Sequence, residues 1–373
     1  MSDGTTAADG PLTRLRARLE GPNTVGNSRL FWAGFGVVLA LVLAYPLVRG
    51  AYAASQLTLY YTYVFLALSL SLVWGYTGIL SFGQVVFFGV AGYSYGIISL
   101  NVGGLTGSTL GLVGSVVLTT VAAFALGYFM FYGGLRGDYV TITTLAVTVV
   151  LHVFMIQTAG DKWMIGDVSL GGANGIVGIP DVGVGVGEAG VVVSGVGFYY
   201  LVVALLVVTY LGMRVLVNGR AGYAMVAVRE DEGRTEMLGY DTKRVKLLVW
   251  TAGGALAGVG GTLYTAWGNF VHPGVFELVF ASLPVIWCSL GGRETLLGAM
   301  IGAIVIPWFS NELAITGSQW AIVIVGVLLL VTVLLFPDGF VPNARRQVTA
   351  LLARRGPDAD PNRETDDGPE VVE

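Results

Sequence analysis

GFYYLVVALLVVTYLGMRVLVNGRAGYAMVAVREDEGRTEMLGYDTKRVK, residues 197 to 246, is the stretch that decides the fold. Residues 197 to 217 form an apolar run of membrane-crossing length, which for a helix is roughly 20 residues. The overlapping segment 214 to 246 then carries seven of the chain's 20 Lys and Arg residues: Arg214, Arg220, Arg229, Arg234, Lys243, Arg244 and Lys246. A second apolar run follows at 247 to 267. A charged loop hung between two such runs reads as the polar connection of a polytopic membrane protein. The bias of Lys and Arg toward cytoplasmic loops places it inside the cell.

Composition agrees along the whole chain. Of 373 residues, 54% are hydrophobic and 12% charged, and mean hydropathy is +0.74, whereas a soluble domain carries about 25% charged residues. About ten apolar runs qualify as spans: 30 to 49, 57 to 75, 79 to 100, 109 to 134, 139 to 158, 197 to 217, 247 to 267, 277 to 292, 295 to 313 and 319 to 337. The expected fold class is therefore all-α, a polytopic membrane protein of about ten transmembrane helices. The 55 glycines suit membrane helices that approach through small faces. A transmembrane barrel is disfavoured, since its strands alternate over roughly ten residues and these runs are continuous.

Around the transmembrane region, 30 to 337, two polar tails are expected. Residues 1 to 29 read as a cytoplasmic tail and not a cleaved signal, because the apolar run behind them is too long for a signal core. Residues 338 to 373, rich in Pro, Arg and acid, read as a disordered tail. With the N-terminus inside and ten spans, the C-terminus, Arg136, Arg293 and the 214 to 246 loop are also inside. Of the 20 basic residues only Arg49 and Lys162 then fall outside.

Four glycine-centred motifs interrupt the hydrocarbon. GYTGILSFGQVVFFGVAGY, 75 to 93, brings Tyr76, Thr77, Ser81 and Gln84 to membrane depth. It reads either as helix packing or as a discontinuous helix facing a polar solute. LRGDYVTITTLA, 135 to 146, sets Arg136 and Asp138 at a span start, where the acid suits the helix dipole. SLGGANGIVGIP, 169 to 180, lies in the long external segment 159 to 196, and loops of that length are usually functional or disordered. SLGGRETLLGAMIGA, 289 to 303, reads as a tight turn between two spans.

Several chemistries find no foothold. No GxxxxGK[ST] loop is present, so nucleotide hydrolysis is not expected of this chain. With two His and one Cys, Cys288, there is no cluster of metal-ligand spacing. No catalytic constellation stands out. Ionisable residues are nearly absent from the spans, unlike ion-coupled carriers, which implies an energy source elsewhere.

The ordered motifs GYTGILSFGQ, LRGDYVTITTLA, GGANGIVGIP, GRAGYAMVAVREDEGRTEMLGYDTKRVKL and LGGRETLLGAMIGA, spread over roughly residues 55 to 340, resemble the permease subunit of branched-chain amino acid ABC importers, the LivM-like group. Urea and short-amide permeases carry similar motifs. The resemblance implies a cell-membrane importer subunit with no catalytic residues, no cofactor and no metal. It also implies a second, homologous permease, two cytoplasmic ABC ATPases and an external substrate-binding protein as partners, with no role for nucleic acid. On this reading Gly219, Arg220, Arg229, Glu230, Asp231, Glu232 and Gly239 belong to the cytoplasmic coupling segment. The external docking loop includes Gly171, Gly172 and Asn174, and Tyr76, Ser81, Gln84 and Thr144 are candidates for the substrate pathway. Independently, AMVAVREDEGRTEML, 224 to 238, has the pattern of one short amphipathic helix stopped at Gly239. A stand-alone secondary carrier is the alternative of another class.

Overall fold

A computed structural model describes residues 18–187, 189–315, 326–327 and 339. The last predicted span, 319 to 337, lies outside the described residues apart from Gly326 and Val327, as do most of both tails. Among the described residues, seven helices are long and apolar enough to cross a membrane.

The first, α1 (Arg29–Leu70), begins where the Ser28 side chain accepts the Phe31 N–H, and a π-helical turn, Ser71–Gly75, prolongs it. Its 42 residues at about 1.5 Å each are twice the length that roughly 30 Å of hydrocarbon requires. Gly50, at φ 80° and ψ 173°, breaks it where predicted spans one and two meet. Then come α2 (Gln84–Val102), α3 (Gly104–Tyr132), α4 (Asp138–Gln157), α5 (Gly195–Val217), α6 (Arg220–Glu230), α7 (Glu232–Met237), α8 (Thr242–Gly268), α9 (Leu278–Gly291) and α10 (Leu296–Ile315). Predicted span eight, 277 to 292, is corrected: α9 has only 14 residues, about 21 Å of rise, too short to cross alone. A 3-10 turn at Pro273–Phe276 precedes it.

The centre is α8 held between α2 and α3. A Cβ on Gly261 would lie 1.9 Å from the Phe88 carbonyl oxygen, and one on Gly254 2.3 Å from the Ala123 methyl. Only a glycine surface lets these helices meet backbone to backbone. Trp250, fully buried, fills the groove with Phe87 and Phe131 edge-on at 5.6 and 5.9 Å. Hydroxyls inside the bundle pair across helices, as Ser115 Oγ and Thr262 Oγ1 do at 2.8 Å. The outside is apolar instead, with Val113, Val117 and Val121 of α3 and Val149, Val150 and Val153 of α4 exposed. That inversion of the soluble pattern is what a hydrocarbon solvent selects.

The segment 159 to 196 is more ordered than a loop. It forms β1 (Met164–Ile165) with β2 (Val168–Ser169), and a hairpin of β4 (Val182–Val186) and β5 (Ala189–Val193), all antiparallel. Between them β3 (Ile176–Val177) pairs with β6 (Phe270–Val271), just beyond α8. Ser108 Oγ donates to the Asp181 carbonyl at 2.7 Å, and Asn269 Nδ2 to Asp181 Oδ1 at 2.9 Å, which seats this cap on the bundle. The opposite end of the bundle gathers the charged segments, since Arg136 and Arg229 there reach Glu236 and Glu294.

Candidate functional site

The charged end is built on Arg214, near the end of α5. Its side chain is fully buried and has no ion-pair partner among the described residues. Instead the guanidinium donates to a ring of oxygens: Nε to Leu19 O at 2.8 Å, Nη1 to Val25 O at 3.2 Å and Tyr210 Oη at 2.9 Å, and Nη2 to Gly26 O at 3.0 Å and Asn27 Oδ1 at 3.1 Å. The rings of Phe31 and Trp32 each lie 5.1 Å from its Cζ. Delocalised and weakly hydrated, guanidinium is the cation best suited to such a carbonyl cage. Asn23 adds two bonds, its N–H to Asn218 Oδ1 at 3.1 Å and its amide to Val217 O at 2.8 Å. Residues 19 to 27 are thus a strap over the root of α6.

From that root the chain turns sharply, because a Cβ on Gly222 would sit 1.8 Å from Val217 O. One helix over 224 to 238 is not what forms. Asp231, at φ −159° and ψ 101°, ends α6 and starts α7, its carboxylate accepting the Arg234 N–H at 2.9 Å. An Asp that caps the second helix has left helical geometry and so cannot continue the first. The predicted stop at Gly239 does hold. At φ 88° it follows α7, with Gly239 N bonded to Glu236 O and Tyr240 N to Thr235 O, the paired bonds of a Schellman motif. Beside it Met237 and Leu238 are 89% and 77% exposed, an apolar tip unlike the buried Met225 and Val228 of α6.

Of the predicted coupling residues, Gly219 caps α6, and Arg220, Glu230, Asp231 and Gly239 face outward. Arg229 and Glu232 turn in. Arg229 Nη1 donates to Gly75 O at 2.7 Å and lies 3.2 Å from Glu294 Oε2. Glu232 Oε1 lies 2.6 Å from Lys246 Nζ. Lys246 is almost fully buried, its ammonium 5.6 Å from the Phe131 ring. These side chains and Arg136 border a cleft of about 230 Å³ that also touches Thr77, Gly78 and Ile79. Arg214 and Lys246 were visible in the sequence only as contributors of charge; the carbonyl partners of Arg214 are distant in the chain, and the Glu232 partner of Lys246, 14 residues back, needs the turn between α7 and α8 to reach it.

That cleft adjoins the break in predicted span three. The helix starts at Gln84, not at 79, and Gly78 (φ 75°) opens an unwound stretch along α4. Thr141 Oγ1 donates to Leu80 O at 2.8 Å, Thr144 Oγ1 accepts the Phe82 N–H at 3.3 Å, and Ser81 Oγ accepts the Gly83 N–H at 2.9 Å. Side-chain hydroxyls thereby satisfy backbone groups that lipid could not. Of the four pathway candidates, Ser81 and Thr144 meet here beside Gly83, and Gln84 follows at the helix start, turned to Ser69 of α1. All three are buried within the chain, and Gln84 Oε1 accepts from Ser69 Oγ at 2.6 Å while its Nε2 has no partner among the described residues. Tyr76 sits apart. Buried, it donates to Asn23 O of the strap at 3.0 Å.

At the other end, Gly171 and Gly172 shape the cap more than they present it. A Cβ on Gly171 would lie 1.8 Å from Gly175 O, and Gly172 is buried against Ala159. Asn174 is exposed, as are Val184, Val186, Val191 and Val192 of the β4–β5 hairpin.

Residues 52–334 match the family model described as the branched-chain amino acid transport system permease component. The chain belongs to this family. It is 28% identical over 331 residues to the high-affinity branched-chain amino acid permease protein LivM of Escherichia coli, covering 83% of this chain and 75% of that protein. With BraD of Pseudomonas aeruginosa, named for the same transport, it is 26% identical over 299 residues, 76% of this chain and 92% of that one. A shorter match, 27% over 122 residues, reaches the ribose import permease RbsC of Escherichia coli and covers 31% of this chain and 38% of that one. No solved structure matches. This permease is therefore a multi-pass membrane protein and a transporter component.

Proposed function

We propose that this permease is one of two homologous membrane subunits of an ABC importer that brings branched-chain or closely related amino acids into the cell. The observation that carries the reading is the correspondence with LivM, which runs through most of both chains. On this reading the α6–α7 end faces the cytoplasm and seats on two separate ATPases, with both termini inside. The apolar Met237 and Leu238 tip, ringed by charge, suits a socket on such a partner. Arg229 then passes the movement on, because it holds α6 to Gly75 O, three residues before the unwound stretch opens, and to Glu294 before α10. Ser81, Gln84 and Thr144 become solute contacts when that stretch shifts. The exposed hairpin and Asn174 receive the external binding protein.

The test is reconstitution. The permease, co-purified with its ATPases and placed in vesicles with its binding protein, should accumulate L-leucine or L-isoleucine only with ATP, and should prefer them to urea, acetamide and ribose. Accumulation without ATP would make it a stand-alone carrier. Preference for urea or acetamide would move it to the short-amide permeases, and preference for ribose to the sugar permeases.

A further inference from the structure

A cleft of about 270 Å³ opens at the hairpin end between α1, α8 and α9, and Tyr63, Tyr264, Phe280, His272 and Glu277 line it. The Tyr63 ring is the hub of an aromatic wall, with centroids 6.0 Å from Tyr264, 6.0 Å from Phe280 and 5.3 Å from the buried Trp287 behind. Among the described residues neither tyrosine hydroxyl makes a hydrogen bond, and the Glu277 carboxylate has no ion-pair or hydrogen-bond partner. His272 Nδ1 is occupied as the acceptor of the Gly274 N–H at 3.0 Å. Among the described residues no Lys or Arg lines the cleft. One exposed carboxylate, at the N-cap of a short apolar helix, thus shares a cleft with three aromatic rings.

We propose that this cleft is a binding site for an organic ammonium group, the amino end of the transported amino acid as it leaves the external binding protein. Glu277 is its counter-ion, and the unpaired phenolic oxygens of Tyr63 and Tyr264 are its further acceptors. A bare metal ion is a poor occupant. It needs several oxygen ligands, and no group of three or more metal-binding side chains occurs among the described residues. An ammonium is satisfied by one carboxylate and two phenolic oxygens. The inference rests on the amino-acid reading given above.

The experiment compares Glu277→Gln and Glu277→Asp with the parent in the reconstituted complex. Glu277→Gln should lower ATP-driven L-leucine uptake at least tenfold, with assembly and ATP hydrolysis retained, while Glu277→Asp stays within threefold of the parent. Isoamylammonium, which has the ammonium and the branched tail but no carboxylate, should inhibit uptake by the parent and not the residual uptake of Glu277→Gln. Parental uptake in Glu277→Gln, or equal inhibition of both proteins, would overturn the site. Saturation-transfer NMR of isoamylammonium on the purified complex reads the cleft without transport: signal on the parent, lost in Glu277→Gln, supports it, and no difference overturns it. Failure of the parent to accumulate leucine would count against the amino-acid reading, and the NMR comparison would still decide the cleft. Displacement of the ammonium by sodium alone at equal ionic strength would assign the carboxylate to an inorganic cation and overturn the proposal.

Discussion

Replacing Arg214 by Lys keeps the charge and tests the geometry of the strap. The guanidinium makes five hydrogen bonds in a planar fork, and an ammonium offers three donors from one point, so at least two bonds and the aromatic stacking are lost. With hydrogen bonds to a charged group contributing about 1.5–3 kcal/mol each, a loss of about 3 kcal/mol is a conservative figure. That loss falls on the strap, since α5 keeps its own backbone ladder. At about 1.4 kcal/mol per tenfold, local opening should become roughly a hundredfold more frequent. Hydrogen exchange reads this directly, because the Asn23 N–H donates to Asn218 Oδ1 and the Thr24 N–H to Gly21 O. In lipid nanodiscs these two amides should lose about two decades of protection, and amides of α3 none. Unchanged protection at Asn23 and Thr24 would refute the claim that the guanidinium holds the strap.

Three further outcomes are expected. Gly261→Ala forces a methyl against the Phe88 carbonyl and should lower the thermal midpoint of the purified permease or abolish its recovery, whereas Gly268→Ala, which meets nothing within 4 Å, should leave both unchanged. Gly239→Val places a β-branched residue at φ 88°, which costs about 1–2 kcal/mol; transport and ligand-stimulated ATP hydrolysis should fall together while the protein still inserts. With the buried Cys288 replaced by Ala, Val184→Cys should react with an impermeant maleimide only from outside intact cells and Gly233→Cys only in inverted vesicles; the swapped pattern would reverse the orientation, and labelling of both from one face would overturn the topology.

Much of this permease was legible in its sequence because membrane helices are written locally. Apolar length located α1 to α5, α8 and α10, since hydrocarbon thickness sets one requirement that each run meets by itself. Gly239 announced the end of the charged segment because only glycine is at ease in the left-handed region there. The glycine richness of α8 announced close packing, though not which helices it would meet.

What only the tertiary structure decided involves partners distant in the chain. Arg214 read as one more basic residue at a span end, yet its Nε acceptor, Leu19 O, is 195 residues away, and a backbone carbonyl has no signature in a sequence. The same limit hid Arg229 on Gly75 O, 154 residues away, and the threonine hydroxyls of α4 that hold the unwound stretch before Gln84. Asp231 is equally suited to a solvated helix face and to a cap, and the choice fell to Lys246, buried where it can bind Glu232 only if α7 turns back toward it. Glu277 stood at the edge of an apolar run in either reading. The folding of α1, α8 and α9 brought it to one aromatic cleft that no Lys or Arg among the described residues lines.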